Sequence, residues 1–236
     1  MVELLVLFGA CKISECSNFG LISGANRLIG GIIGDCETDN IVENCVNYGT
    51  VMGDSPTSYH VGGIAGRIGG VKVEFRGCFS LGSVSAYNGA GGILGGAPFE
   101  NAYAVIESCY NSGTITTTHD YAGGIIGMSA GKVEIINCYN VGTASSGTSR
   151  QGSVVGGLTS AATYLSVTQT YYPDVMPTTI GWIHSSATGV SIDATPYLDS
   201  FMKSQGFVDV LNAGLDTDIW TMDDGKNSGY PIFIWQ

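Results

Sequence analysis

Charge is scarce in this chain. Only 12% of its 236 residues are Asp, Glu, Lys or Arg, against about 25% in an ordinary soluble domain. Surface helices need charged outer faces, so the composition argues against a helical fold. Basic residues are scarcer still: 9 Lys and Arg against 20 Asp and Glu, a formal net charge of −11. They are scattered, and only Arg67, Lys72 and Arg76 lie loosely together. No basic stripe exists to neutralise phosphates, so nucleic acid is not expected as a partner. An anionic bilayer or a polyuronate would be repelled. The longest apolar run, "LLVLFGA" at 4–10, is too short to span a bilayer, and no membrane insertion is expected. That run lacks a basic flank and contains no secretory pattern beyond a faint "FGAC", so residues 4–10 are read as strand. Met1 is read as opening a piece of a longer parent protein, whose other domains are its partners. With only 3 His and no CxxC, no zinc spacing occurs.

What the chain has instead is glycine, 36 residues of it, within a composition that is 44% hydrophobic. Short strands joined by tight turns suit that mixture; helix interiors do not. The glycines keep time with a cysteine. "ISECSNFGLI" contains Cys16, "VENCVNYGTV" Cys45, "FRGCFSLGSV" Cys78, "IESCYNSGTI" Cys109 and "IINCYNVGTA" Cys138. A sixth copy, "VTQTYYPDVM", places Thr170 there, and the steps are 29, 33, 31, 29 and 32 residues. A second landmark runs in step: "GGIIG" at 30–34, "GGIAG" at 62–66, "GGILG" at 91–95, "GGIIG" at 123–127 and a worn "GSVVG" at 152–156. Two landmarks in step mean a stacked architecture in which no unit buries its core alone. Ile13, Val42, Phe75, Ile106 and Ile135 precede each Cys by three residues, and Ile22, Val51, Val84, Ile115 and Ala144 follow by six. That spacing, with β-branched residues and punctuating Gly, reads as strands.

The expected fold is therefore all-β: a parallel β-solenoid, or β-helix, of about six coils of ~30 residues stacked roughly 4.8 Å apart. Right-handed coiling is expected from the preference of parallel crossovers. Cys16, Cys45, Cys78, Cys109 and Cys138 are read as a buried structural ladder. Asn18, Asn47, Asn111 and Asn140, with Ser80 as the exception, either bond along the stack or cap their own turns, with the Gly two residues later at positive φ. Residues 1–192 form the solenoid and 193–236 a small C-terminal cap containing a short helix and a final strand. Thr195 and Pro196 read as N-cap and first helical residue, Gly214 as the stop, and "YPIFIW" as the strand. The cap's job is to cover the solenoid's open end.

The pattern "NCYNxG" followed by "GGIxG" resembles the GLUG-motif repeats of bacterial surface and adhesin-like proteins, repeats also found beside the peptidase unit of immunoglobulin A proteases. The resemblance covers residues 13–190, and "DIWTMDDGKNSGYPIFIW" is similar to the segment that often closes such repeats. It implies a β-solenoid on the outside of a bacterium, secreted or held at the cell surface.

No residue set looks catalytic. His60 and His119 lie in the variable stretch before the double glycine and are read as solvated. Asp35, Glu37 and Asp39 alternate in "DCETDN"; calcium prefers such oxygen-rich loops, so they are the calcium candidates, although neither an EF-hand loop nor a calcium-binding nonapeptide is present. No cofactor is otherwise expected. Glu43 with Glu107 and Glu74 with Glu134 are not on successive copies, as paired glycosidase acids would have to be. Cys11 and Cys36 follow "FG" and "IG" in similar frames, which leaves a disulfide between adjacent coils open. Tyr59, Tyr87 and Tyr121 stand two to four residues before the double glycine on three successive coils. They form the candidate platform for a glycan or host protein. The expectation is a non-catalytic, adhesin-like module, with a pure spacer or a polysaccharide-active β-helix enzyme as the alternatives.

Overall fold

Each landmark cysteine, and Thr170 in the sixth copy, is preceded by a residue in the left-handed region: Glu15, Asn44, Gly77, Ser108, Asn137 and Gln169, with φ of 57°, 52°, 59°, 47°, 51° and 47°. This residue turns the chain through a corner once per coil. The computed structural model describes residues 6–7, 10–25, 27–37, 39–70, 72–160, 163–176 and 178–236. Of the strand expected at 4–10, only Val6–Leu7 and Ala10 lie within them.

The solenoid has four walls of parallel strands. The first is seven-stranded and runs from Val6–Leu7 through Ile33–Cys36 and Ala65–Ile68 to Ile180–Ile183. The second is five-stranded, from Ile29–Gly30 to Gln151–Gly152, and carries the first glycine of each pair. The third bends at the left-handed corner, with strands such as Lys72–Arg76 before it and Phe79–Ser80 after it. The fourth, also five-stranded, runs from Ile22–Gly24 to Ala144–Ser146. Equivalent residues pair in register along the stack: Ile13, Val42, Phe75, Ile106, Ile135, Val167 and Ile192 form one continuous row. An all-β parallel solenoid of about six turns is thus what the repeat builds.

Close approach sets the coil geometry. A Cβ on Gly49 would lie 1.9 Å from the Gly20 carbonyl oxygen, on Gly82 1.8 Å from that of Gly49, and on Gly142 1.9 Å from that of Gly113. None of these glycines has a positive φ, so the expected left-handed turn is not the reason for them. They are there because backbone passes backbone. Both readings of the asparagine hold together. Asn18 Nδ2 donates to Asn47 Oδ1 at 2.7 Å and Asn111 Nδ2 to Asn140 Oδ1 at 2.8 Å along the stack. Each also closes its own turn, as Asn111 does with Gly113 O at 3.0 Å and Gly113 N–H at 3.1 Å. Cys45, Cys78, Cys109 and Cys138 are fully buried, while Cys16, on the first coil, is exposed. Their thiols donate to the carbonyl two residues back, Cys138 to Ile136 O at 3.3 Å; Thr170 Oγ1 does the same to Thr168 O at 3.0 Å. The sixth coil has therefore kept the bond and changed the donor.

The C-terminal segment carries the expected short helix and final strand but departs from expectation in where the helix begins and in what the cap covers. The last solenoid strand runs Gly189–Tyr197, so Thr195 and Pro196 are in strand, paired with Tyr171 and Tyr172. Two short helices follow, α1 (Asp199–Met202) and α2 (Gln205–Asn212), then Gly214 at φ 83° and a two-stranded antiparallel pair, Trp220–Thr221 with Ile232–Phe233. This cap does not cover the solenoid's end. It lies on the side, over an aromatic row formed by the residue after each cysteine. The rings of Phe79, Tyr110 and Tyr139 stack at 4.7 and 4.8 Å, within 6° of parallel, and Tyr171 continues the row. Met202, Phe207, Leu211, Trp220 and Phe233 bury against it. Tyr139 Oη donates to Pro231 O and accepts from Asn227 Nδ2 at 2.8 Å. The reason is plain in the sequence: Cys faces inward, so Phe79, Tyr110, Tyr139 and Tyr171 face outward and need covering. The inward-facing Ile183 and Ile192 of the last coil each stay 44% exposed.

If close approach holds the stack together, Gly82→Ala must separate two coils in mid-rod. We expect a loss of about 2–4 kcal/mol by denaturant unfolding, whereas Gly225→Ala, in an open turn where the nearest atom is Asp223 Oδ1 at 3.3 Å, changes stability little.

Candidate functional site

The stretch entering the second wall is where the coils differ. Its strands pair Tyr59 with Asn88, Val61 with Ala90, and Ala90 with Ala122. Tyr59, Tyr87 and Tyr121 are therefore not equivalent. Tyr87 stands one residue before Asn88, and its N–H donates to Ser58 Oγ at 3.1 Å. Tyr121 stands at the same level as His60 and Gly89, and all three are left-handed, with φ of 63°, 58° and 71°. That conformation throws the His60 and Tyr121 side chains over the first wall. The wall makes room with glycine: a Cβ on Gly96 would lie 2.4 Å from His60 Nδ1, and one on Gly157 2.3 Å from Tyr121 Cδ1.

The three tyrosines nevertheless join one ridge along the rod, through residues that their sequence pattern does not include. Arg27 lies over the Tyr59 ring at 5.0 Å. Tyr59 meets Tyr87 edge-on at 5.9 Å, and Tyr87 stacks on the His119 ring at 5.2 Å and 22°. His119 Nδ1 is 3.3 Å from Asp120 Oδ2, which accepts from Arg150 Nη1 at 2.9 Å. The same Nη1 donates to Tyr121 Oη at 2.9 Å, and the guanidinium lies 4.8 Å from the Trp182 ring. Asp120 also accepts from the Thr148 hydroxyl, and His184 meets Trp182 edge-on at 6.0 Å. Burial first of all raises the Tyr121 phenol above its ordinary value, so it stays protonated. Arg27 and His119 are exposed; Tyr59, Tyr87, Tyr121, Arg150 and Trp182 are half-buried. The result is a strip of aromatic edges and fixed cations that reaches from the first coil to the last. Sequence reasoning missed Arg27, His119, Arg150 and Trp182. Each occurs once, and no repeat points to a residue that occurs once.

The other candidates are engaged in structural work. Arg67 takes Asp35 through Nε at 2.9 Å and bridges Asp35 and Glu37 through Nη2; Asp39 accepts the Lys72 backbone N–H at 3.0 Å. The carboxylates proposed for calcium are thus turned to an arginine and a backbone amide, and no metal-holding group of His, Cys, Asp and Glu occurs among the described residues. Cys11 and Cys36 are both free and do not stack: Cys11 pairs with Asn40, Cys36 with Leu7 and Ile68. Burial pushes the Cys36 thiol up to about 12. Glu43 and Glu107 share a row with Arg76 between them, and Glu74 and Glu134 with Val105 between them. A hydrogen bond from Lys72 holds Glu74 below the usual carboxylate range.

No family model matches the chain, and no curated protein matches it. Among solved structures it is similar to a Bacteroides ovatus protein described as a candidate immunoglobulin A1 protease. The two share 19% identity at a TM-score of 0.64, over 100% of this chain and 73% of that one. At that identity the likeness shows a common fold.

His60, expected to be solvated, is instead 9% exposed, with no partner for Nδ1. Burial, then Arg67 and Arg27, push its pKa from 6.5 down to about 4. The unfolded chain takes up this proton below about 6.5 and the folded chain does not. The contribution is complete above that pH and is lost as pH falls toward 4, by roughly 3 kcal/mol at most. His60→Asn keeps a residue that tolerates positive φ. Its stability measured against wild type should therefore improve by about 2–3 kcal/mol between pH 7 and pH 4.5; a pH-independent difference would refute the assignment.

Proposed function

We propose that this chain is a non-catalytic, adhesin-like binding module of a secreted or cell-surface bacterial protein, and that its binding face is the ridge through Tyr59, Tyr87 and Tyr121. The observation that carries the reading is the ridge itself. Half-buried aromatic rings, each with an apolar face and a polar edge, follow one another along a rod. Their side chains are locked by neighbours, so little freedom is lost when a ligand binds. Sugars and the glycans of a host glycoprotein are the ligands such a surface suits.

Glu74 and Cys36 are not set up for chemistry. A general acid needs a raised pKa, and Glu74 has a lowered one. A nucleophilic thiol needs a lowered pKa and exposure, and Cys36 has neither. The likeness to a candidate immunoglobulin A1 protease fits an accessory role, in which a rigid rod presents a host glycoprotein to a catalytic unit elsewhere in a longer protein. A spacer is the second reading, favoured by the way the ridge residues already satisfy one another.

The test is an array of glycans and host matrix proteins probed with the purified chain and with Tyr87→Ala, which removes the ring between Tyr59 and His119. We expect specific signals that fall at least about tenfold in the variant. Signals that survive would move the face elsewhere, and silence from a folded, β-rich sample would favour the spacer.

A further inference from the structure

The ridge ends in an arginine that is held but not saturated. Arg150 Nη1 is fully engaged, by Asp120 Oδ2 and Tyr121 Oη, both at 2.9 Å. The guanidinium lies 4.8 Å from the Trp182 ring and 5.3 Å from the Tyr121 ring. The opposite edge, Nε with Nη2, has no partner among the described residues, and the side chain is 35% exposed. Such an edge offers two parallel N–H donors at the spacing of a carboxylate. An arginine free in solution would lose side-chain entropy on taking up that geometry; this one has already been fixed.

We infer that the Arg150 end of the ridge binds a carboxylated sugar, with the carboxylate on the Nε–Nη2 edge and the sugar ring against Trp182. The inference rests on the ridge being the binding face. Local charge narrows the ligand further. Arg150 and Asp120 already cancel, and the chain carries a formal charge of −11, so a polyanion would be repelled over its length. A single acidic sugar among neutral ones meets the fork without that penalty. The neutral remainder then runs along the rod toward His119 and Tyr87.

Calorimetric titration tests this with two pairs of probes: sialyllactose against lactose, and a glucuronate-ended disaccharide against its glucose-ended counterpart. The acidic member of at least one pair should bind wild type about tenfold or more tighter than its neutral partner, as expected for a charge-assisted pair of hydrogen bonds. Which pair shows the preference identifies the acid. Arg150→Lys keeps the charge and lacks the fork, and it should abolish the preference while circular dichroism still shows a folded, β-rich chain. Trp182→Ala should weaken both members of the preferred pair. Equal affinity for acidic and neutral probes, a preference that survives Arg150→Lys, or no binding of any probe overturns the inference. Neutral-sugar or host-protein binding that Tyr87→Ala abolishes would still leave the ridge as the binding face, so the two readings fail separately.

Discussion

The distance between one coil's backbone and the next governs this molecule. Where Gly82 passes Gly49, and Gly49 passes Gly20, carbonyl oxygen occupies the space a Cβ would need. Once backbones lie that close, every residue is held directly above its equivalent. Asn111 meets Asn140, Phe79 meets Tyr110, and Cys138 Sγ accepts the Cys109 N–H at 3.3 Å. The repeated side chains do not set the stacking distance. They are the ones that tolerate it, being small inward, amide-bearing at the turn, and flat outward.

That distinction explains what could be read in advance. A residue fixed by contact with its own copy recurs at the period of the coil. The Cys, Asn and Gly ladders were legible for this reason, and so were parallel stacking and the number of coils. The left-handed corner was not, because Glu15, Asn44, Gly77, Ser108, Asn137 and Gln169 share a backbone conformation and no side-chain chemistry. The cap's position was encoded but overlooked. The residue after the landmark position changes from the exposed Ser17 to the buried Val46, Phe79, Tyr110, Tyr139 and Tyr171, which marks the coils whose outer wall is covered. A strand that buries the cysteine turns the next residue outward.

The candidate site was half legible for a related reason. Tyr59, Tyr87 and Tyr121 could be picked out because they precede a strict landmark, yet their offsets from it differ, and one residue of offset in a strand changes the face. Tyr121 consequently lies over Gly157 on the first wall while Tyr59 and Tyr87 pack on each other. His119, Arg150 and Trp182, which join the two groups, come from coils whose entering stretches have no common sequence. Solenoids leave such stretches free because the approach of backbones constrains the walls and not the corners.

The distribution of cations follows from this division. On the walls, in-register stacking gives each base an acid one coil away or two residues along: Lys12 with Glu43, Arg67 with Asp35, Lys72 with Glu74, Lys132 with Glu134. The lysine pairs are exposed or half-buried and add little stability individually, while Asp35 is buried and held by two nitrogens of Arg67; together they leave no cation on the walls looking for an anion among the described residues. The ridge differs. Among the described residues Arg27 has only the Tyr59 ring, and Arg150 spends one nitrogen on Asp120 and Tyr121 and keeps an edge without a partner. In a chain with so few bases, leaving two arginines incompletely paired, both against aromatic rings on one strip, is a departure from the rule the walls obey. Stacking order alone would not produce it, since neither arginine repeats. The departure sits where the scaffold imposes least, which is where a binding surface can diversify without disturbing the approach of one coil to the next.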